Sequence, residues 1–431
     1  MRLGGIVVCS LIEDVVVEAT KCKGCTNCIK HCPVQAIRVK NGKAKIIKSK
    51  CIHCGTCIQT CSFNAFTGIL HGIEDMFRYS YRIAIIDPVL YGQFNDEITP
   101  PEIIDGIKKY GFDEVVDLSL GTKAITEYTK KYVAAKEKLP IISSSCPAVI
   151  RLIQLRFHEL TKHILPIKSP AEITAYMARK KAREALELRN EEIGVYYFSP
   201  CTAQLYNTNL SADTRTQYIN GTLSIKSAFL MLSKELKSCE GVDSFCPSGK
   251  GLNWGRVEGQ SKALGIREYL AIDGIENVME ILEKIQDQKI KDVAFLECQA
   301  CINGCVGGNL TIENSFVARN RIRELAGKYH TCTMNNIGMD TEKMLITKKI
   351  RPLYGNKLDS DLFKAMEKLN KIEMINKTLP QKDCGACGSP SCRALAKDIV
   401  LGYAKQEDCM VNIKKTSFNS IVEEIAIEDY I

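Results

Sequence analysis

Phe295-Leu-Glu-Cys-Gln-Ala-Cys-Ile-Asn-Gly-Cys-Val-Gly-Gly-Asn309 is the stretch on which the reading of this chain turns. The apolar run Val293-Ala-Phe-Leu296 has the composition of a buried strand, and cysteines follow it at 298, 301 and 305. Glycines 304, 307 and 308 leave the backbone free to wrap closely around a bound group. A strand emptying into a glycine-rich loop is where open α/β sheets bind their ligands. Several thiols in such a loop point to a metal rather than to packing.

Working outward, the segment 82–300 alternates strands and helices. Strands are predicted at Ile83–Ile86, Glu114–Asp117, Pro140–Ile142 and Ile193–Phe198, and helices at Pro101–Tyr110, Thr122–Lys136, Ala171–Leu188, 224–237 and 274–288. Two more of these strands end in cysteine loops, Ser143-Ser-Ser-Cys146-Pro147 and Ser199-Pro-Cys201-Thr-Ala-Gln204. The fold class is therefore α/β, with parallel sheets flanked by helices and three cysteine loops on one rim. Cys246 to Gly259 is a long glycine-rich stretch that lacks a phosphate-loop pattern, so no nucleotide site is assigned.

The first 62 residues hold an internal repeat: Cys22-x-x-Cys25-x-x-Cys28-x-x-x-Cys32-Pro33 recurs as Cys51-x-x-Cys54-x-x-Cys57-x-x-x-Cys61-Ser62. This is the run of bacterial two-cluster ferredoxins, whose α+β fold it implies and in which the fourth cysteine of each run serves the other cluster. One cubane would take Cys22, Cys25, Cys28 and Cys61, and the other Cys51, Cys54, Cys57 and Cys32. Zinc would call for separated Cys-x-x-Cys pairs. The basic run Lys40–Lys50 reads as a solvated hairpin face, with docking of an acidic electron carrier as the sharper alternative. Near the other end, Cys384-x-x-Cys387-x-x-x-x-Cys392, with Cys409 one helix later, is a complete ligand set for a further cubane in a small, mostly helical domain.

Bulk properties agree. A chain of 431 residues is too long for one typical domain, and 21 cysteines with no signal peptide argue for metal in a reducing, cytoplasmic setting rather than for disulfides. The formal charge of +8 omits clusters that each carry about −2 when held by four thiolates, so it is no argument for nucleic acid. No apolar run is long enough to span a membrane.

The three strand-end loops resemble the catalytic signatures of the iron-only (FeFe) hydrogenases, which read roughly Thr-Ser-Cys-Cys-Pro, Met-Pro-Cys-x-x-Lys and Met-Ala-Cys-x-x-x-Cys-x-x-Gly. They correspond to Ser143–Pro147, Ser199–Gln204 and Gln299–Gly308. The resemblance, with the ferredoxin repeat ahead of it, covers residues 1 to about 330. The Cys384–Cys409 motif resembles a small cubane domain appended to redox proteins and sensory hydrogenases.

The resemblance implies that Cys146, Cys201, Cys301 and Cys305 hold a cubane. It further implies that the Cys305 sulfur bridges to a two-iron subsite carrying CO, cyanide and a bridging azadithiolate. Four 4Fe-4S clusters are then expected, with dihydrogen and protons as substrates. Maturation proteins would insert the iron pair, and a ferredoxin or signalling protein would be the redox partner; a homodimer is left open. The expected domains are 1–78 (ferredoxin), 79–330 (catalytic), 331–375 (linking) and 376–431 (cubane).

Departures from the family pattern are concentrated at the site. Ser145 stands where fast members have a proton-accepting cysteine, and its hydroxyl is a poor acid. Gln204 replaces a cyanide-gripping lysine, and Ser199 and Gln299 replace methionines. All four changes point to a slow site of the sensory type without a PAS domain. Candidates for a proton route are Cys246, Glu258 and Glu297, against the plainer readings of a buried small hydrophobe and two ordinary loop charges. Cys298 reads as a filler, and Cys9, Cys239 and Cys332 as structural. The alternative function is a non-catalytic iron–sulfur assembly or electron-relay protein on the same fold.

Overall fold

The computed structural model describes residues 15–68, 76–135, 139–205, 218–233, 236, 247–329, 341–355 and 357–412. They form two compact units. The first comprises essentially residues 68–352 together with the short segment Ile52–Gly55. The second combines the rest of the N-terminal cysteine repeat with the C-terminal segment from Leu353.

The first unit is built on two parallel sheets. One runs β6–β5–β8–β9, with β5 Tyr81–Ile86, β6 Glu114–Asp117, β8 Ile193–Ser199 and β9 Gly221–Ser224. The register sets Ile86 beside both Asp117 and Phe198, and Ser199 beside Ser224. The other runs β10–β11–β7, with β7 Ile141–Ile142, β10 Tyr269–Asp273 and β11 Phe295–Gln299. β11 is central, so the run Phe295–Gln299 is the spine of that sheet.

Side-chain alternation explains why central strands read as continuous apolar runs: both faces are covered by helices. Ile83, Ile85, Val195 and Tyr197 meet Ala171, Ala175, Ala178 and Ala182 of the helix Pro170–Leu186, whose small residues recur every three or four positions. From the opposite face, Ala84, Ile86, Tyr196 and Phe198 pack on Ile103 and Ile107 of Pro100–Lys109 and on Ala318 and Ile322 of Ser315–Lys328. The core of the β7/β11 sheet gathers Ile141, Phe295, Leu165, Ile125 and Trp254.

The predicted strands and helices of this unit are present, but three elements escape pattern reading. β9 is four residues opening on glycine, and β10 is five residues without clean alternation; pairing to a buried neighbour makes them strands. The helix Pro147–Arg156 starts directly at Cys146, with Pro147 in its first turn. The glycine-rich stretch before Gly259 is also not a plain loop. It folds into the short helices Gly249–Leu252 and, after a 3-10 turn, Gly259–Leu264.

In the second unit, β2 Ile37–Lys40 and β3 Lys43–Ile46 form an antiparallel hairpin whose turn, Asn41-Gly42, has both residues at positive φ. The C-terminal segment adds the helices Leu362–Thr378 and Cys392–Val400, which pack around Ile372, Leu379 and Leu395. Within this same unit the two cysteine-rich ends of the chain are joined. Val39 N donates to Gly388 O at 2.8 Å, and the buried Arg38 guanidinium pairs with the buried Asp398 carboxylate. No helix among the described residues is long and apolar enough to cross a membrane.

Candidate metal centre

Parallel strands all present the same end, so loops leaving β7, β8 and β11 gather at one rim of the first unit. Cys146 follows β7 and stands at the start of the helix Pro147–Arg156, where the amides of Ala148 and Val149, and that of Ala300 from the β11 loop, point at its sulfur. Cys201 follows β8 and receives the amides of Ala203 and Gln204. Cys301 and Cys305 follow β11. Desolvation raises all four thiols above their ordinary range, Cys201 to about 12, and the charges of Cys146 and Cys201 raise Cys301 and Cys305 further, a mark of their closeness.

The loops are locked by contacts only glycine permits. A Cβ on Gly308 would lie 2.2 Å from Pro200 O, and one on Gly304, at φ +93°, would lie 2.3 Å from Gln299 Oε1. Asn309 Nδ2 donates to Cys54 O at 2.9 Å and to Thr202 Oγ1 at 3.0 Å, and Thr202 Oγ1 donates to His53 O at 2.8 Å. The segment Ile52–Gly55, which carries Cys54, is thereby held in the same unit as the strand-end loops.

The substituted positions face this rim. Ser199 Oγ donates to Cys201 O at 2.9 Å, closing the Cys201 turn. Gln204 Nε2 donates to Ser145 O at 3.0 Å, while its buried Oε1 has no partner. Gln299 Oε1 is likewise buried without one. Ser145 Oγ accepts from Gln260 Nε2 at 2.6 Å, and Gln260 Oε1 accepts from Ser143 Oγ at 2.6 Å. Gln260 was not legible as a site residue; the only hint is its place next to Glu258 and Gly259 in a glycine-rich stretch.

The three proton-route candidates fare differently. Glu297 is completely buried on β11 and accepts from Ser261 N (2.9 Å) and Ser261 Oγ (2.7 Å); burial lifts its carboxyl to about 7. Glu258 instead forms an ion pair with Lys262 at 2.5 Å, both partners partly exposed. Cys246 lies outside the described residues, as do Cys9, Cys239 and Cys332. Cys298 is buried within β11, as a filler would be. Sequence reading also missed Asp87, a buried carboxylate lifted by burial to about 6 that accepts from Val89 N and Tyr197 Oη and whose charge reaches Cys201 and Cys305.

Four half-buried thiols close together, two of them facing backbone amides, suit an iron–sulfur cluster, whose positive irons make thiolates the stable form. No group of three or more Cys, His, Asp or Glu among the described residues converges as a single ion would need. Thiolates at four corners of a cluster each bind a different iron, so none is required. The second unit shows the same chemistry: Ala36 N donates to Cys32 Sγ at 3.2 Å, Ala44 N to Cys22 Sγ at 3.4 Å and Ala65 N to Cys61 Sγ at 3.4 Å.

Comparison with known proteins is consistent with this chemistry. Residues 80–236 and 248–309, just over half the chain, match the family described as iron only hydrogenase large subunit, C-terminal domain. Residues 14–62 match a 4Fe-4S dicluster domain and 379–411 an Fe-S cluster family. The NADP-reducing hydrogenase subunit HndD of Solidesulfovibrio fructosivorans is 20% identical over 45% of this chain and 39% of its own length. The cytosolic Fe-S cluster assembly factor NAR1 of Candida dubliniensis is 29% identical over 28% of this chain and 19% of its own. The chain thus spans less than half the length of these curated relatives. A solved variant of the [FeFe]-hydrogenase HydA1 from Chlamydomonas reinhardtii aligns over 59% of this chain and 85% of that one, at 17% identity and a TM-score of 0.45.

Proposed function

This chain belongs to the iron-only hydrogenase large-subunit family, and on that footing we propose that it splits dihydrogen reversibly and heterolytically into protons and electrons, slowly, in the service of hydrogen sensing. The observation that carries the proposal is the set Cys146, Cys201, Cys301 and Cys305, four half-buried thiols on three strand-end loops with Cys305 seated among Gly304, Gly307 and Gly308. These residues would hold a cubane and, through Cys305, a two-iron group with CO, cyanide and azadithiolate. When bound, that group supplies the metal and the base between which dihydrogen is cleaved.

The chain's own residues set the rate and direction. The Ser145 hydroxyl, held by Gln260, stands beside Cys146 in the loop after β7, and its high intrinsic pKa makes it a poor acid for relaying a proton. Gln204 and Gln299 bring neutral amides where charge-assisted or apolar contacts would otherwise be made, which weakens the grip on an anionic ligand. Glu297 holds a proton near neutrality and sits one hydrogen bond from Ser261, the neighbour of Gln260. Electrons would leave by way of the ligand set that includes Cys54, tied to the site through Asn309. A reducing, cytoplasmic location suits 21 cysteines.

A second reading is favoured by the assembly-factor relative: an iron–sulfur assembly or relay protein that carries cubanes alone. The infrared spectrum of the anaerobically matured protein separates the two. Bands of metal-bound CO and cyanide that shift between argon and hydrogen support the hydrogenase reading. A spectrum empty in that window after full maturation overturns it in favour of the second.

A further inference from the structure

The second unit joins two cysteine motifs that lie some 350 residues apart in sequence. Its packing goes beyond what a flexible appendage would show. On one side, Cys32 Sγ accepts from Ala36 N, and Gln35 O accepts from Arg38 Nη1 at 3.0 Å. Arg38 continues across to Asp398, with Nη2 donating to Oδ1 at 3.3 Å. Asp398 in turn accepts from Ser389 Oγ at 3.3 Å, two residues beyond Cys387. A second bridge runs from Val39 N to Gly388 O at 2.8 Å. Gly388 itself, at φ +79°, could carry no Cβ: that atom would lie 1.8 Å from Val39 O. A third contact sets Gly385, between Cys384 and Cys387, against Ile29 and Lys30 in the first cysteine run.

The Arg38–Asp398 and Ser389–Asp398 contacts are buried and Val39–Gly388 is backbone to backbone, and together they tie the strand that follows Cys32 to the loop between Cys387 and Cys392. A surface chosen only to tether a domain would not need to seat the ligand loops themselves against each other. Electron tunnelling falls off steeply with distance, so rigid apposition of ligand loops is what direct exchange demands.

We propose that the C-terminal cubane exchanges electrons directly with the ferredoxin cubane that takes Cys32, so that the two cysteine motifs work as one conductor rather than as two separate modules. One electron leaves the reduced ferredoxin cubane, which is thereby oxidised, and reduces the C-terminal cubane. No bond is made or broken and no proton moves. The inference rests on the cubane assignments in the proposed function, and not on the two-iron site.

Electron paramagnetic resonance on the full chain, prepared with cubanes but without maturation proteins, tests it. In the unmodified protein, stepwise reduction should produce spin–spin splitting and faster relaxation once the C-terminal and ferredoxin clusters are both reduced. The double variant Cys384→Ser, Cys387→Ser should lose part of that interaction while retaining the coupling within the ferredoxin pair. Asp398→Asn should weaken it with iron content unchanged. If the unmodified spectrum is the plain sum of the variant's spectrum and one isolated cubane, the proposal is overturned, and that result needs no variant of the docking surface. Absence of infrared bands after maturation would sink the hydrogenase reading alone and leave this one standing.

Discussion

Gln260 donates through its amide to the Ser145 hydroxyl at 2.6 Å, and takes a hydrogen bond from Ser143 Oγ at the same distance in return. The Ser145 side chain, for which we propose the place of a proton-relaying thiol, is therefore fixed in position by hydrogen bonds.

Replacing it follows directly. Ser145→Cys should raise hydrogen turnover by about 10²-fold, the low end of what a positioned acid–base group contributes, whereas Ser145→Ala should change it less than about tenfold. Hydrogen uptake with an artificial electron acceptor measures both. Equal rates for Cys and Ser at this position would mean that proton transfer does not limit the enzyme.

Glu297 predicts a pH dependence of stability. Its carboxyl titrates at about 7 when folded, above its value of 4.5 in the open chain, so the folded state holds the extra proton between these limits. Stability from this group therefore falls as pH rises from 4.5 to 7, and the full cost of burying the charge is felt above pH 7. Glu297→Gln should unfold at higher temperature than the parent at pH 8, by an amount on the order of 3 kcal/mol at most. At pH 5 most of that difference should vanish. Near-ultraviolet circular dichroism of the cubane-loaded chain during heating reads it; a constant difference across pH would refute the assignment.

The Arg38–Asp398 pair is buried on both sides. Removing one partner leaves an uncompensated buried charge, so Asp398→Ala should cost about 3–5 kcal/mol and expose the C-terminal segment to limited proteolysis. The paired change Arg38→Met, Asp398→Leu should recover most of the loss. Equal protease sensitivity of the single and the double variant would contradict this.

Two glycines at positive φ should respond differently to alanine. Gly265 has nothing within 4 Å of where a Cβ would stand, so Gly265→Ala should cost only the backbone strain of roughly 1–2 kcal/mol. Gly304→Ala drives a methyl into Gln299 Oε1 and the backbone of Val257. It should prevent the Cys301–Cys305 loop from closing, with loss of the iron bound in the first unit, as measured by iron content and visible absorption.

What sequence alone made legible was a set of iron–sulfur cysteine motifs. Cysteine spacing is local, and a cubane's ligand set is written in short intervals of two, three or four residues, so the runs Cys22 to Cys61 and Cys384 to Cys409 could be proposed as ligand sets without a fold, and both lie in segments that match iron–sulfur families. Apolar runs at Ile83–Ile86 and Ile193–Phe198 announced buried parallel strands because both faces of such strands are covered. The sequence also named the substitutions Ser145, Gln204 and Gln299, whose side chains proved to surround the loops. Tertiary structure decided everything that depends on which distant segments meet. It made strands of Gly221–Ser224 and Tyr269–Asp273 by giving them a neighbour to pair with. Glu297 it buried, while Glu258 was turned to Lys262, although both flank the same loops in the sequence. Gln260 was brought to Ser145 across 115 residues, and Asp398 to Arg38 across 360. Spacing cannot encode such meetings, because they are selected by the burial of whole faces and by the demand that every buried charge or amide find a partner.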